Sequence, residues 1–193
     1  DKISILEIKQ EKIKDPEKFR KIIEAGLIEA QKEKLVIFGI KPSKPETGFG
    51  YIEAKNIVNY EKINSVPVRR FIEKPDEAKA KVLIQDEKIL WNSGIFLCKA
   101  SLMINELKKY EPELLSLCKK AINKSRDIDF QRLDIKSFKK CPNISIDYAV
   151  MEKTQKTYVM PLDVGWSDVG NWKTLWEIEK KDSNGNIIMG DIK

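Results

Sequence analysis

The chain carries the unbroken apolar run Leu35-Val36-Ile37-Phe38-Gly39-Ile40 between two polar segments. A run of this length and composition is typical of a strand buried within a sheet. Upstream, Asp15-Pro16 opens a segment whose apolar residues recur at helical spacing to about Lys32. Asp15 is placed to cap this helix and Pro16 suits its first turn. The stretch therefore predicts a helix followed by a buried strand, a pairing typical of α/β domains.

Strand-like and helix-like segments alternate along the rest of the chain. Short apolar or alternating runs predict strands, and apolar residues three to four positions apart predict helices. The alternation indicates an α/β domain with a mixed sheet. Strands are expected at Tyr51–Ala54, Asn56–Tyr60, Val66–Glu73, Leu90–Cys98 and Thr157–Leu162, and helices at Asp76–Gln85, Ser101–Tyr110, Glu113–Lys124, Ser145–Lys153 and Asn171–Lys180, with a partly helical stretch at Ile128–Lys139 and a turn at Asp182–Gly185.

Composition excludes several kinds of chemistry. The 193 residues include no histidine, so a Ser-His-Asp mechanism within this chain is excluded. The three cysteines show no Cys-x-x-Cys spacing, which argues against a zinc site or disulfide framework and fits a reducing cytosol. No apolar run approaches the roughly 20 residues of a membrane span. The net charge of +6 is spread over lysines interleaved with glutamates, which favours a solvated surface over a nucleic-acid module.

A single carboxylate lies between two glycines and two tryptophans in Gly165-Trp166-Ser167-Asp168-Val169-Gly170-Asn171-Trp172. The glycines suit a tight loop, because glycine accepts backbone angles that other residues avoid. Asp168 on such a loop could ligate a hard cation such as Mg²⁺ through oxygen. The alternative is that Asp168 caps the helix predicted to begin near Asn171.

Four further motifs are Glu46-Thr47-Gly48-Phe49-Gly50-Tyr51-Ile52-Glu53, Phe71-Ile72-Glu73-Lys74-Pro75, Trp91-Asn92-Ser93-Gly94-Ile95-Phe96 and Ser145-Ile146-Asp147-Tyr148-Ala149-Val150-Met151-Glu152-Lys153. With the Asp168 loop, they resemble in type and order the sugar-1-phosphate nucleotidyltransferases. The resemblance is strongest to the mannose-1-phosphate guanylyltransferases (GDP-mannose pyrophosphorylases) of the type also found fused to a mannose-6-phosphate isomerase domain. It runs from about Asp15 to Asp191 and implies the C-terminal two-thirds of a Rossmann-like, mixed-sheet catalytic domain.

The resemblance implies a nucleotidyl transfer. The phosphate of mannose 1-phosphate attacks the α-phosphorus of GTP, which forms GDP-mannose and releases pyrophosphate. Such transfers depend on in-line positioning and on neutralisation of phosphate charge, which a chain without histidine can supply. The resemblance also implies Mg²⁺ as cofactor, Asp168 as its ligand, and Lys74 and Asp168 as catalytic residues.

Four residues are implied to bind the sugar phosphate. Gly50 would hydrogen-bond the sugar, although a simple turn is the alternative for Gly48 and Gly50. Glu73 would accept hydrogen bonds from sugar hydroxyls and Lys74 would lie beside the phosphate, whereas the alternative is a surface ion pair. Asn92 would read sugar hydroxyls through its amide.

Other motif residues receive structural interpretations. Trp91 and Phe96 are expected in the core. Asp147, Glu152 and Lys153 match the family motif but receive no individual role, and a helix cap and surface charges are the simpler interpretation.

The chain departs from the family pattern near its start. The family's second metal aspartate lies in a Pro-Ser/Ala-Asp-His segment, which falls here on Ile8-Lys9-Gln10-Glu11. Gln10 therefore replaces the aspartate. Glu11 is the alternative ligand, although Lys9 and Lys12 beside it would repel a cation. The family's glycine-rich N-terminal segment is also missing. Residues 1–180 are thus expected to be the sugar-binding half of the catalytic domain, and residues 181–193 the start of a truncated extension.

Two functions follow from these observations. The first is a guanylyltransferase fragment that uses GTP and mannose 1-phosphate and needs the N-terminal part in cis or in trans. The alternative is a non-catalytic remnant that binds a sugar nucleotide or a partner chain. An incomplete sheet with an exposed edge invites pairing, so a homodimer or a complementing N-terminal fragment is the expected partner. Nucleic acid and membrane are not expected partners, and the expected location is cytoplasmic.

Overall fold

The computed structural model describes residues 15–122, 126–127, 130–165, 176 and 181–187. The predictions made for Gln10, Glu11 and Asp168 lie outside these residues. The chain divides into two compact units, Lys21–Leu162 and a second unit drawn from Asp1–Arg20 and Asp163–Lys193. The larger unit holds the main sheet and the four residues predicted to bind the sugar phosphate.

Strands and helices alternate through the described residues, as the sequence predicts. The strands are β1 (Leu35–Ile40), β2 (Tyr51–Ala54), β3 (Val66–Ile72), β4 (Ile89–Leu97), β5 (Arg126–Asp127), β6 (Phe130–Gln131) and β7 (Thr157–Pro161). The α-helices are α1 (Pro16–Gln31), α2 (Glu77–Leu83), α3 (Ala100–Tyr110), α4 (Pro112–Ile122) and α5 (Ile135–Phe138), and a π-helical turn covers Asp147–Met151.

Aspartate side chains cap α1 and α2, and the cap predicted for Asp15 is confirmed. Asp15 Oδ1 accepts a hydrogen bond from the backbone N–H of Lys18 at 2.9 Å. Asp76 Oδ1 accepts one from the N–H of Lys79 at 2.8 Å, at the start of α2. Each carboxylate satisfies a donor that the first turn of a helix leaves without an intrahelical partner.

The main sheet is mixed, which confirms the predicted fold class. Its strand order is β1-β4-β2-β3-β7, and β7 also pairs with β1, so that the order closes on itself. The β1–β7 pair is parallel, whereas the β1–β4, β2–β4, β2–β3 and β3–β7 pairs are antiparallel. The first four residues of β1 are fully buried, as the apolar run predicts.

An ion-pair cluster fixes the register between β2 and β3. Glu53 lies opposite Arg70, and a bulge places Arg69 as the extra residue of β3. The nearly buried Glu53 carboxylate accepts hydrogen bonds from Arg70 Nε at 2.5 Å and Arg69 Nη1 at 2.9 Å. With Glu53 opposite Arg70, Tyr51 lies opposite Ile72 at the far end of the pair.

The two faces of the sheet pack against different core clusters. Because side chains alternate along a strand, neighbouring residues belong to opposite faces. The larger cluster contains Ile52, Phe71 and Leu90, and the π-helical turn packs in it. The smaller cluster contains Tyr51, Ile72 and Trp91, and α2 packs there through Ala80 and Leu83.

One predicted strand was wrong, and one predicted helix is shorter and of a different type. Residues 56–60 form a loop rather than a strand. The Asn59 side chain favours the loop, because it accepts a hydrogen bond from the N–H of Glu61 and thereby closes a local turn. The predicted helix Ser145–Lys153 is instead a π-helical turn over Asp147–Met151. None of the helices in the described part of the chain combines the length and apolar character that a membrane crossing requires.

A cluster around Glu29 ties α1 to its surroundings. The Glu29 carboxylate accepts hydrogen bonds from Lys32 Nζ at 2.5 Å, from Ser65 Oγ at 2.8 Å and from Lys34 Nζ. These bonds, led by that from Lys32, lower the pKa of the Glu29 carboxyl from 4.5 to about 2. A lowered pKa means that the charged form stabilises the fold above pH 4.5, and that this contribution disappears as the pH falls toward 2.

We therefore expect Glu29→Gln to lose about 1–2 kcal/mol of unfolding free energy at pH 7, less than the full pKa shift would give because the lysines are partly solvated. Urea unfolding at pH 7 and pH 3 measures this, and the gap between parent and variant should shrink at pH 3. Glu24→Gln, an exposed position on the same helix, is the control. A gap that stays constant with pH would contradict the assignment.

Candidate functional site

Three of the predicted binding residues lie in one row across the ends of neighbouring strands. Tyr51 pairs with Ile72 on β3 and with Trp91 on β4. Both pairs are antiparallel, so the preceding residue, Gly50, lies beside Glu73 on one side and Asn92 on the other. The contacts agree, because the backbone N–H of Asn92 donates to the Gly50 carbonyl at 2.8 Å.

The row belongs to the sheet face that carries the larger core cluster. Gly50, Glu73 and Asn92 are each two residues from a member of that cluster, so they continue its face beyond the last core residues. Asn92 also pairs with Gly39 on β1, so a glycine flanks it on each side. Small residues on both sides leave the Asn92 side chain without a neighbouring Cβ in its row.

Gly50 is required by the close approach of Glu73. A Cβ built on Gly50 would lie 2.7 Å from Glu73 Oε2 and 2.9 Å from the Phe71 ring. The turn that carries Gly50 is also anchored, since the buried Tyr51 hydroxyl donates to the Glu46 carbonyl and accepts from the Glu46 N–H, both at 2.8 Å. The simple-turn interpretation of Gly50 therefore does not account for its environment, whereas Gly48 has open space around its Cβ position.

Glu73 and Lys74 form an ion pair at this point. Lys74 Nζ donates to Glu73 Oε1 at 2.6 Å. The Glu73 side chain is 6% exposed and the Lys74 side chain is 59% exposed, so the pair joins a sequestered carboxylate to a solvated ammonium. An ordinary surface ion pair has two exposed partners. The burial of Glu73 distinguishes this pair from that alternative.

The backbone at Lys74 is in a conformation that non-glycine residues rarely adopt. Its φ is +42°, and the buried Pro75 follows it. Such a conformation costs on the order of 1–3 kcal/mol and persists only where the surroundings impose it. The strain therefore falls on the residue that is predicted to approach the phosphate.

The pKa of the Lys74 ammonium is raised above its ordinary value. The hydrogen bond to Glu73 is the main cause, followed by the charge of that carboxylate, with smaller contributions from Asp147 and Tyr148. Because a raised lysine pKa favours the protonated form, Lys74 carries its positive charge throughout the neutral range.

Asn92 is half-buried, whereas Trp91 and Phe96 in the same motif belong to or pack against the core. Asn92 Oδ1 accepts a hydrogen bond from the N–H of Gly94 at 3.1 Å, which orients the half-buried amide. The core placement predicted for Trp91 is confirmed, since it is 7% exposed and packs edge-to-face on Phe49 with ring centroids 5.2 Å apart. Phe96 packs against the larger core cluster, as expected.

The structure adds a contact that sequence reasoning missed. Glu152 Oε1 accepts a hydrogen bond from the backbone N–H of Glu73 at 3.0 Å. Asp147 and Tyr148, in the same motif, act electrostatically on Lys74. The sequence marks this motif by its resemblance to the family, but nothing in it indicates which residue the motif contacts across 79 positions.

No metal site is visible in the part of the chain that the structure describes. Within it, no three His, Cys, Asp or Glu side chains converge as candidate ligands. Asp168, the predicted Mg²⁺ ligand, lies outside that part, and so does the Gln10-Glu11 pair. The metal prediction for Asp168 therefore stays a prediction.

The described residues form a mixed α/β sheet, with a carboxylate, an amide and an ammonium group at the ends of neighbouring strands. The chain belongs to the nucleotidyl transferase family, whose model matches residues 10–185. This confirms the family resemblance and the fold class expected from the sequence. Enzymes of this family generally use a divalent metal ion.

The chain is also similar to curated proteins of this family. The chain is 44% identical over 182 residues to a mannose-1-phosphate guanylyltransferase of Escherichia coli, which covers 93% of this chain and 39% of the relative. It is 42% identical over 181 residues to the alginate biosynthesis protein AlgA of Pseudomonas aeruginosa, with 93% and 37% covered. The chain thus spans about two fifths of the length of the curated relatives it matches.

Solved structures give the same fold. One described as a mannose-1-phosphate geranyltransferase from Thermus thermophilus superposes with a TM-score of 0.70 at 26% identity, covering 90% of this chain and 48% of that one. Another, a mannose-6-phosphate isomerase from Helicobacter pylori, gives a TM-score of 0.68 at 34% identity, covering 78% of this chain and 57% of that one.

The close approach at Gly50 gives a direct test of the site geometry. We expect Gly50→Ala to lower the unfolding free energy by about 1–3 kcal/mol, because the new methyl group overlaps the Glu73 carboxylate and the Phe71 ring. Urea unfolding measures the change.

The matched control is Gly48→Ala in the same turn, where the added methyl group meets no atom within 4 Å. We expect it to change the unfolding free energy by less than about 0.5 kcal/mol. Equal effects of the two substitutions would show that the turn itself, and not the approach to Glu73, requires glycine.

Proposed function

We propose that this chain supplies the sugar-phosphate site of a mannose-1-phosphate guanylyltransferase, which transfers GMP from GTP to mannose 1-phosphate. The observation that carries the proposal is the row of Glu73, Gly50 and Asn92 with the Lys74 ammonium at one end. Relatives that bear this enzyme name at 42–44% identity support it and favour the enzyme over a non-catalytic remnant.

The proposed roles follow from the chemistry of each group. Glu73 accepts hydrogen bonds from two sugar hydroxyls, and it can do so strongly because its carboxylate is charged and held out of bulk water. Gly50 allows the sugar to approach the backbone, and Asn92 offers an amide that both donates and accepts. Lys74 neutralises the sugar's phosphate.

To bind a phosphate, the Lys74 ammonium must hydrogen-bond both the Glu73 carboxylate and the phosphate. An ammonium has three N–H donors, and one is used by Glu73 Oε1. The exposed position of Lys74 lets the remaining donors face a phosphate without breaking the contact with Glu73. Glu73 thus stays available to the sugar hydroxyls through Oε2, on the Gly50 side.

The cation, the partners and the boundaries are further parts of the proposal. We propose Mg²⁺ as the divalent metal and Asp168 as the ligand from this chain, and the roles above do not depend on it. Residues 1–180 are proposed to belong to the catalytic domain and residues 181–193 to lie outside it. A cytoplasmic location, where GTP is available, and a homodimer or a complementing N-terminal fragment complete the proposal.

Calorimetric titration of the chain with mannose 1-phosphate tests the proposed site. We expect Glu73→Gln and Lys74→Met each to weaken binding about tenfold, since each removes one charged contact worth roughly 1.4 kcal/mol. Mannose itself, which lacks the phosphate, should bind more weakly to Glu73→Gln than to the parent. It should bind equally well to Lys74→Met and to the parent, because Lys74 contacts the phosphate.

The control is a second ion pair with the same chemistry. Lys81 and Glu77 on α2 form an exposed pair whose Nζ–Oε1 distance is also 2.6 Å. Glu77→Gln and Lys81→Met should leave the dissociation constant unchanged. The proposal fails if the folded parent binds no mannose 1-phosphate, or if both pairs of variants bind alike.

A further inference from the structure

The Ser145–Lys153 motif is anchored to the rest of the fold on both sides of Glu152. Its π-helical turn buries Ala149, Val150 and Met151 in the larger core cluster. Just beyond the turn, Thr154 Oγ1 donates to the buried Glu106 carboxylate of α3 at 2.7 Å. Glu152 therefore lies between two anchored points, and the backbone that carries it is fixed on both sides.

From this fixed position, Glu152 forms a hydrogen bond with the backbone of Glu73. Its Oε1 accepts a hydrogen bond from the backbone N–H of Glu73 at 3.0 Å. The bond acts at the residue that follows β3, just before the left-handed conformation of Lys74. The next residue, Pro75, has no N–H that could anchor the turn in its place.

The other two residues of the motif near the site act on the Lys74 ammonium rather than on the backbone. Asp147 and Tyr148 both favour its charged form. Lys153 is engaged elsewhere, since its Nζ donates to Glu111 Oε1 at 2.5 Å. The motif thus contacts the backbone of the turn through Glu152, and the Asp147 carboxylate favours the charged form of the Lys74 ammonium.

We propose that Glu152 is a positioning residue, which holds the Glu73-Lys74 turn in the conformation that binds the sugar phosphate. This inference rests on the proposed function, because it assigns to Glu152 a role in that site. Glu152 acts through the N–H of Glu73, so what matters is an acceptor oxygen at the right reach. The competing interpretation is a surface charge that affects ligand affinity only through long-range electrostatics.

Three substitutions separate the effect of the length of the Glu152 side chain from the effect of its charge. Glu152→Gln keeps an acceptor oxygen at the same distance but removes the charge. Glu152→Asp keeps the charge but is shorter by one methylene. Glu152→Ala removes both, and Glu61→Ala, in the exposed loop at the opposite end of β2 and β3, is the control.

Calorimetric titration of each folded variant with mannose 1-phosphate is the experiment. We expect Glu152→Ala and Glu152→Asp to weaken binding about tenfold, Glu152→Gln to remain within about threefold of the parent, and Glu61→Ala to match the parent. If Glu152→Ala does not fold, the Asp and Gln variants still decide between reach and charge.

A double-mutant cycle adds a readout that a purely structural role would not move. The loss caused by Glu152→Asp should fall to less than about twofold in a Glu73→Ala, Lys74→Ala background, because there the positioned side chains are gone. An unchanged loss in that background would overturn the inference, as would tight binding by Glu152→Asp with weak binding by Glu152→Gln. A parent that binds no mannose 1-phosphate would instead overturn the proposed function.

Discussion

The antiparallel register of β2 with both of its neighbours is the constraint on which the site depends. Tyr51 is paired with Ile72 on one side and with Trp91 on the other. Because a shift of one residue would move every side chain to the opposite face, this register alone decides that Gly50, Glu73 and Asn92 share a row. The ion-pair cluster of Glu53 stabilises it between β2 and β3. The core on the other face stabilises it as well, since Tyr51, Ile72 and Trp91 must be buried together.

Preorganisation is the second consequence of this arrangement. The Glu73 carboxylate is sequestered, the Lys74 backbone is strained, and neither state would persist in an isolated loop. The surrounding structure supplies the compensation through the approach of Gly50, the Lys74 ammonium and the Glu152 carboxylate. A ligand that meets such a site does not have to order it, so more of the interaction energy is expressed as affinity.

Much of the fold was predictable because its signals are local. The apolar run at β1 reports burial directly, and Asp15 and Asp76 cap helices that begin beside them. The loop at residues 56–60 was not predictable from β-type residues alone, since the Asn59 side chain competes for the backbone. The site shows the same division. Gly50, Glu73, Lys74 and Asn92 were predicted from motifs, and the structure brings them together. The hydrogen bond from Glu73 to Glu152 depends on a contact across 79 residues, which sequence spacing does not encode.

We propose that a sugar phosphate binds at the row of Gly50, Glu73 and Asn92 at the end of β2. The most direct measurement is an NMR titration of the ¹⁵N-labelled chain with mannose 1-phosphate, following each backbone amide. The account predicts saturable shifts at Gly50, Glu73, Lys74 and Asn92, with little change in the loop around Glu61 at the opposite end of these strands. Saturable shifts that cluster elsewhere on the chain while these four amides stay unchanged would contradict it.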